Sequence, residues 1–191
     1  MIKVEPIRDL KAIKRIKKLR EDHGIYGLRD LCLFTLGINT AYRANELLSL
    51  TINQVDYLTP GDRLEIKQSK TGKIRPTTVN KTVVDALDRW LDAHPLAHHP
   101  RAPLFISSRG DAALTVSSLT NMVKAWCQDV GLRGNYGSHT LRKTWGYHQL
   151  RINNAPIPLL MEAYGHATQR QTLDYLCIEA DEIRELYAME L

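Results

Sequence analysis

Apolar residues at Leu10, Ile13, Ile16 and Leu19, with basic residues between them, predict an amphipathic helix over residues 9–22 that stops at Gly24. Residues 28–36 are more continuously apolar and predict a buried helix, broken after Gly37, with a helical pattern resuming over 43–50. Residues 52–57, 64–68 and 74–79 have strand character. Pro60-Gly61 and Thr71-Gly72 supply turns between them, so a small antiparallel meander is expected. Val83, Val84, Leu87, Trp90 and Leu91 follow helical spacing, and Pro95, Pro100 and Pro103 then mark a loop. Leu119, Met122, Val123, Trp126 and Val130 form another helical stripe, with Thr115 or Ser117 to cap it. Residues 131–137 read as loop, followed by helices over 139–151, 157–164, 168–178 and 181–190. The pattern contains no repeat and no linker. It predicts one domain over residues 1–191, mainly α with a small antiparallel β-sheet (α+β) inserted early.

Composition narrows the class. With 191 residues, 43% of them hydrophobic, the chain can bury a core, which excludes disorder as its main state. Its apolar runs fall far short of the ~20 residues that span a bilayer, so no membrane role is expected. The first residues lack the apolar core of a secretory signal. Cys32, Cys127 and Cys177 are odd in number, widely spaced and flanked by apolar residues, as buried thiols of a reducing cytoplasm would be. The net charge of +5 conceals an asymmetry: residues 1–20 hold eight bases against two acids, and residues 171–191 hold six acids against one base. A basic head suggests a polyanion partner, and the acidic tail a different one.

Candidate chemistry begins with His-x-x-Arg, which occurs three times where chance gives about one half of a match. His98–Arg101 lies among prolines that leave the two side chains unconstrained relative to each other. His148–Arg151 falls at a helix C-terminus, whose negative end repels a phosphate. His139–Arg142 opens a helix after Gly137 and Ser138, where free N–H groups favour an anion and i, i+3 spacing puts both side chains on one face. The middle pair is the credible phosphate site. The cluster His94, His98 and His99 lacks nearby cysteine or carboxylate pairs and reads as a surface loop rather than a zinc site.

The context of that pair is informative. Arg43 opens a helix, Lys70 sits at a hairpin tip in Gln68-Ser69-Lys70-Thr71-Gly72-Lys73, and His139-Thr140-Leu141-Arg142 follows. Then come Tyr164-Gly165-His166 and, nine residues beyond His166, Tyr175. In order and spacing this series resembles the catalytic domain of the tyrosine recombinase (phage integrase) family, over about residues 7–180. The resemblance implies the DNA breaking-rejoining fold and a site-specific recombinase acting in DNA integration or recombination through a covalent 3′-phosphotyrosyl intermediate.

In that scheme Tyr175 attacks the phosphodiester, and a phenol of ordinary pKa ~10 needs cationic neighbours to ionise. Arg43 and Arg142 clamp the non-bridging oxygens, Lys70 protonates the leaving 5′-oxygen, His139 serves as acid and base, and His166 donates to the phosphate. No cofactor or metal is implied, since arginines supply the electrostatics. The implied partners are double-stranded DNA, further copies of the chain in a tetramer on the DNA synapse, and accessory DNA-bending proteins, all in the bacterial cytoplasm at the nucleoid.

Alternatives remain at single positions: Lys73 for Lys70, and Tyr147, Tyr164 or Tyr187 for Tyr175, with Glu46 as an orienting partner of Arg43. Ala41 stands where the family usually has glycine, and Tyr164 where it often has leucine. The length resembles that of short, single-domain recombinases of the fimbrial-inversion type, with no separate N-terminal core-binding domain. Residues 181–191 are expected as a helix that docks on a neighbouring protomer. A non-catalytic DNA-binding relative and a type IB topoisomerase-like relaxing enzyme are the other readings.

Overall fold

In the computed structural model, which describes residues 3–67, 72, 74–178 and 187–188, the first periodic stripe forms α1 (Leu10–Glu21). Asp9 caps it by accepting from Lys11 N at 2.7 Å. Ile13 and Ile16 are buried, while Lys11, Lys14, Arg15 and Lys18 face solvent. Arg20 differs: it is buried and held by Asp129 at 2.7 Å, so one charge of the basic head is neutralised inside the fold.

Helix α2 (Gly24–Asn39) continues through the break predicted after Gly37. A Cβ at Gly37 would lie 2.6 Å from Leu141 Cδ1. The glycine therefore serves a close approach to α6 (Ser138–Arg151), and that contact offsets the ~1 kcal/mol a helical glycine costs. Helix α3 (Ala44–Leu48) follows an extended loop. The first predicted strand is instead a 3₁₀ turn, Ile52–Gln54, because the Gln54 side chain folds back to accept from Thr51 N at 2.9 Å. Among the described residues the one sheet pairs β1 (Arg63–Lys67) with β2 (Ile74–Thr78), antiparallel, with Arg63 opposite Thr78, so the expected three-strand meander is a two-strand sheet.

Asn80 accepts from Val83 N to start α4 (Lys81–Ala93), and Thr115 rather than Ser117 caps α5 (Val116–Asp129). Then come α6, α7 (Ile157–Tyr164) and α8 (Gln169–Leu176). The helix expected over 181–190 lies, apart from residues 187–188, outside the described residues. Among the described residues no helix is long and apolar enough to cross a membrane.

Two apolar clusters organise these elements. The larger joins α1, α2, α4, α5 and the hairpin around Phe34, Trp90 and Trp126. The smaller holds Ala41, Leu160, Tyr164 and Leu176, with Trp145 and Tyr175 packed against it. Helix α6 belongs to both, through Leu141 on one side and Trp145 on the other. His94 is a correction to the surface-loop reading: it is buried, packs against the Trp90 ring at 4.6 Å with the planes tilted by 52°, and bonds the Pro103 and Leu104 carbonyls at 3.2 Å. His98 and His99 are exposed. Cys32 and Cys127 are buried as expected, whereas Cys177 is only half-buried, at the end of α8.

Gly146 marks the tightest joint in the smaller cluster. A Cβ there would fall 1.9 Å from Tyr164 Oη. Gly146→Ala must displace α7 or rotate the tyrosine, and overpacking of this kind costs about 1–3 kcal/mol. We expect thermal denaturation to report a Tm lower by about 2–4 °C per kcal/mol; an unchanged Tm would show that α7 yields freely.

Candidate active site

Helix α6 presents His139 and Arg142 one turn apart. Its start is tied down by Thr140, whose hydroxyl accepts from Gly137 N at 3.1 Å and donates to Glu5 O at 2.9 Å. Arg142 is only 3% exposed. One terminal nitrogen donates to Tyr164 O at 2.8 Å and the other to Ala41 O. The guanidinium lies over the Tyr164 ring at 4.7 Å and the Tyr175 ring at 6.0 Å. Among the described residues no carboxylate pairs with it. Burial brings its pKa down to about 10, which leaves it a cation at neutral pH. With N–H donors committed to Ala41 O, Tyr164 O and the Tyr175 phenol, two of five remain for an incoming anion.

Arg43 enters from α3 and is 43% exposed at its side chain. Glu46 holds it twice: Oε2 accepts from Arg43 N at 2.6 Å and Oε1 from Nη1 at 3.1 Å. The preceding Tyr42 is buried and donates to Leu64 O at 2.6 Å, which anchors the loop to β1.

Helix α7 ends at Gly165, whose φ of +66° favours glycine. His166 N then reaches back to Met161 O at 2.9 Å, and the reversal brings the imidazole onto the Tyr164 ring, 5.0 Å away and 23° from parallel. A 3.0 Å hydrogen bond joins His166 Nδ1 to Thr172 Oγ1. Tyr175 arrives on α8, with its ring edge-on to Tyr164 and His166, both at 5.1 Å. Its hydroxyl is 3.5 Å from His139 Nδ1. Burial raises the phenol pKa, and the Arg142 charge, a hydrogen bond from Arg142 and the Arg43 charge pull it back.

His139, His166 and Tyr175 line an open cleft of about 360 Å³ with Lys143 and Asp174; Arg142 lies over the Tyr175 ring behind it, and Arg43 lines a neighbouring cleft with Arg75. Of the six residues selected from sequence, the structure brings together Arg43, His139, Arg142, His166 and Tyr175. Lys70 and its alternative Lys73 lie outside the described residues. Among the alternative tyrosines, Tyr164 is fully buried with its hydroxyl donating to Arg142 O at 2.9 Å, and Tyr147 lies under Arg8 at 5.6 Å. Neither lines the cleft. The other two His-x-x-Arg pairs do not join it: His148 bonds Ile7 O at 2.9 Å, and His98 and Arg101 are exposed on a loop.

Two residues were not selected from sequence. Lys143 donates to Cys177 Sγ at 3.2 Å and sits 4.8 Å over the Tyr175 ring. Arg75, on β2, donates to Ala41 O at 3.2 Å and Tyr164 O at 3.4 Å, the same two carbonyls that hold Arg142. No sequence signal marks Arg75; its place opposite the buried Ile66 emerges only from the strand register.

Cations thus outnumber carboxylates here. His139 is pushed below the ordinary histidine range by burial and then by Arg142, Lys143 and Arg43, and His166 by burial and then by Arg142, Arg43 and Arg75. Both shifts favour the neutral imidazole. His94 and His148 are lowered too, mainly by burial. Since the unfolded chain binds these protons more readily, folding stability is full above pH ~6.5 and falls as pH drops through that value. We expect a Tm constant from pH 8 to 7 that declines below pH ~6.5, well before carboxylates titrate; a Tm flat to pH 5 would contradict the buried neutral histidines.

The chain matches the phage integrase family over residues 9–182. It belongs to that family. It is 30% identical over 162 residues to tyrosine recombinase XerC of Pelobacter propionicus, covering 85% of this chain and 52% of the relative. It is 28% identical to the probable integrase/recombinase YoeC of Bacillus subtilis, over 96% of this chain and 95% of that protein. The integrase-family chain therefore spans about half of XerC and nearly all of YoeC. Its fold is similar to the crystal structure of XerH site-specific recombinase bound to palindromic difH substrate, a post-cleavage complex, with TM-score 0.78 and 24% identity over 97% of this chain and 52% of that one. The mainly helical architecture with a small antiparallel sheet is thus the fold of tyrosine recombinase catalytic domains.

Proposed function

We propose that this chain is a site-specific DNA recombinase that cleaves and rejoins DNA through Tyr175. The observation that supports it is the cleft, where a phenol and two imidazoles meet in front of a buried arginine that has no carboxylate partner among the described residues. The excess of cations over carboxylates around it favours a bound anion.

Tyr175 Oη attacks the phosphorus and the P–O5′ bond breaks, leaving a 3′-phosphotyrosyl link and a free 5′-hydroxyl. The phenol proton passes to neutral His139, 3.5 Å away, and the Lys70 ammonium gives its proton to the 5′-oxygen. Arg43 and Arg142 hold the non-bridging oxygens, and His166 donates to one of them. Rejoining is the reverse, driven by attack of a 5′-hydroxyl, so no external energy source enters. Because Tyr175 lies in its own chain's cleft, each protomer cleaves with its own nucleophile.

Double-stranded DNA is the substrate, and copies of the chain assemble on it as a tetramer across two duplexes, at the nucleoid. The palindromic substrate of XerH suits such symmetric pairing of protomers. The exposed lysines and arginine of α1 add a sequence-independent grip on phosphates. The test is a randomised pool of nicked duplexes incubated with the protein, denatured, and partitioned for protein-bound DNA. A covalent adduct enriched in one sequence supports the assignment; specific binding without an adduct would leave a DNA-binding protein that is not an enzyme.

A further inference from the structure

Arg75 lies at the junction of four segments. From β2 it donates to Ala41 O, in the loop before α3, at 3.2 Å and to Tyr164 O, the last residue of α7, at 3.4 Å. Arg142, on α6, donates to the same two oxygens. Each carbonyl has two lone pairs, so one pair of oxygens can serve both guanidinium groups. On its other side Arg75 Nη1 is 4.0 Å from Glu46 Oε2, and Glu46 is the carboxylate that holds Arg43. The Arg75 side chain is 11% exposed, and a Cβ on Gly165 would come within 3.3 Å of it, so it has little room to move. Its own carbonyl accepts from Tyr42 Oη at 3.3 Å, next to Arg43 in sequence.

We infer that Arg75 is a positioning residue that sets the spacing of the arginine pair: it fixes Arg142 through the Ala41 and Tyr164 carbonyls, and Arg43 through Glu46. This rests on the recombinase reading above, in which those two arginines grip the phosphate. Two guanidinium groups sharing acceptors repel one another, and the carbonyl dipoles together with Glu46 offset that repulsion. The result is a clamp whose two jaws are braced from behind by a third cation that does not touch the substrate. A planar fork is required, since a lysine ammonium cannot span two carbonyls and a carboxylate in one plane.

The test compares Arg75→Gln and Arg75→Lys with the parent chain and with Lys70→Ala, on the duplex recovered from the adduct-forming pool. Each is assayed on a normal scissile phosphate and on a 5′-bridging phosphorothiolate, whose thiolate leaves without needing a proton. Small misplacements of reacting groups cost up to about 100-fold in rate. Both Arg75 variants are expected to bind the duplex as the parent does, yet to lose about 10- to 100-fold in single-turnover cleavage on both substrates. Lys70→Ala is expected to recover on sulfur alone.

Three outcomes would overturn the inference. One is parent-like cleavage by either Arg75 variant. Another is recovery on sulfur, which would assign Arg75 to the hairpin tip instead of the clamp. The last is a loss that only tracks the unfolded fraction measured by thermal melting, which would leave Arg75 as a stabilising residue. A parent chain that forms no adduct on either substrate would defeat the recombinase reading itself, a result distinct from all three.

Discussion

Tyr175→Phe is expected to abolish the covalent protein–DNA adduct while leaving the fold and DNA binding intact. The substitution removes one oxygen. The ring contacts that seat residue 175, edge-on to Tyr164 and His166 at 5.1 Å and beneath Lys143 at 4.8 Å, do not use that oxygen. What disappears is the 3.5 Å approach to His139 Nδ1 and the hydrogen bond from Arg142. A phenylalanine ring cannot form a phosphodiester, so the adduct should fall below detection, not merely slow down. Mobility shift on intact duplex and thermal melting should match the parent. Tyr164 cannot substitute readily: it is fully buried, burial drives its pKa far up, and its hydroxyl is committed to Arg142 O. An adduct that persists in Tyr175→Phe would mean that another residue is the nucleophile.

The helices were legible because their apolar residues repeat at 3.6-residue spacing, as in α4 and α5. The 52–57 segment was not, because the strand-forming residues Ile52, Val55 and Tyr57 fit a strand until the Gln54 side chain folds back on Thr51. Gly37 misled for a related reason: composition marks it as a breaker, and only the distant Leu141 shows that it makes room between two helices. The site was readable where chemistry fixes short spacings. His139 and Arg142 lie on one helical turn, and Gly165 imposes the reversal that turns His166 into the cleft. Arg75 was not readable. Its role depends on carbonyl oxygens of Ala41 and Tyr164, and any residue type supplies a carbonyl, so no side-chain motif records the contact. Tyr164 departs from the family's usual leucine, but its partner Gly146, eighteen residues earlier, becomes intelligible only because the hydroxyl occupies the missing Cβ's place.

Arg142→Lys should lower the cleavage rate by about 10²–10³-fold, the loss typical of removing a donor aimed at developing negative charge in a site that excludes water. Lysine keeps the charge but not the fork. Besides its hydrogen bond to the Tyr175 phenol, Arg142 donates to Ala41 O and Tyr164 O before it meets any substrate, and its remaining N–H groups are aimed by those bonds. An ammonium on a flexible stem can satisfy one carbonyl or the phosphate but not all three in one plane. Stability should fall as well, since hydrogen bonds from a charged donor contribute about 1.5–3 kcal/mol. Arg75 still donates to both carbonyls, however, so the chain should remain folded. That separates the two effects: thermal melting should show most of the protein native at the assay temperature, while the rate per folded molecule collapses. Arg142→Lys cleaving within tenfold of the parent would mean that charge alone, without guanidinium geometry, suffices at this position, and the clamp would then reduce to Arg43.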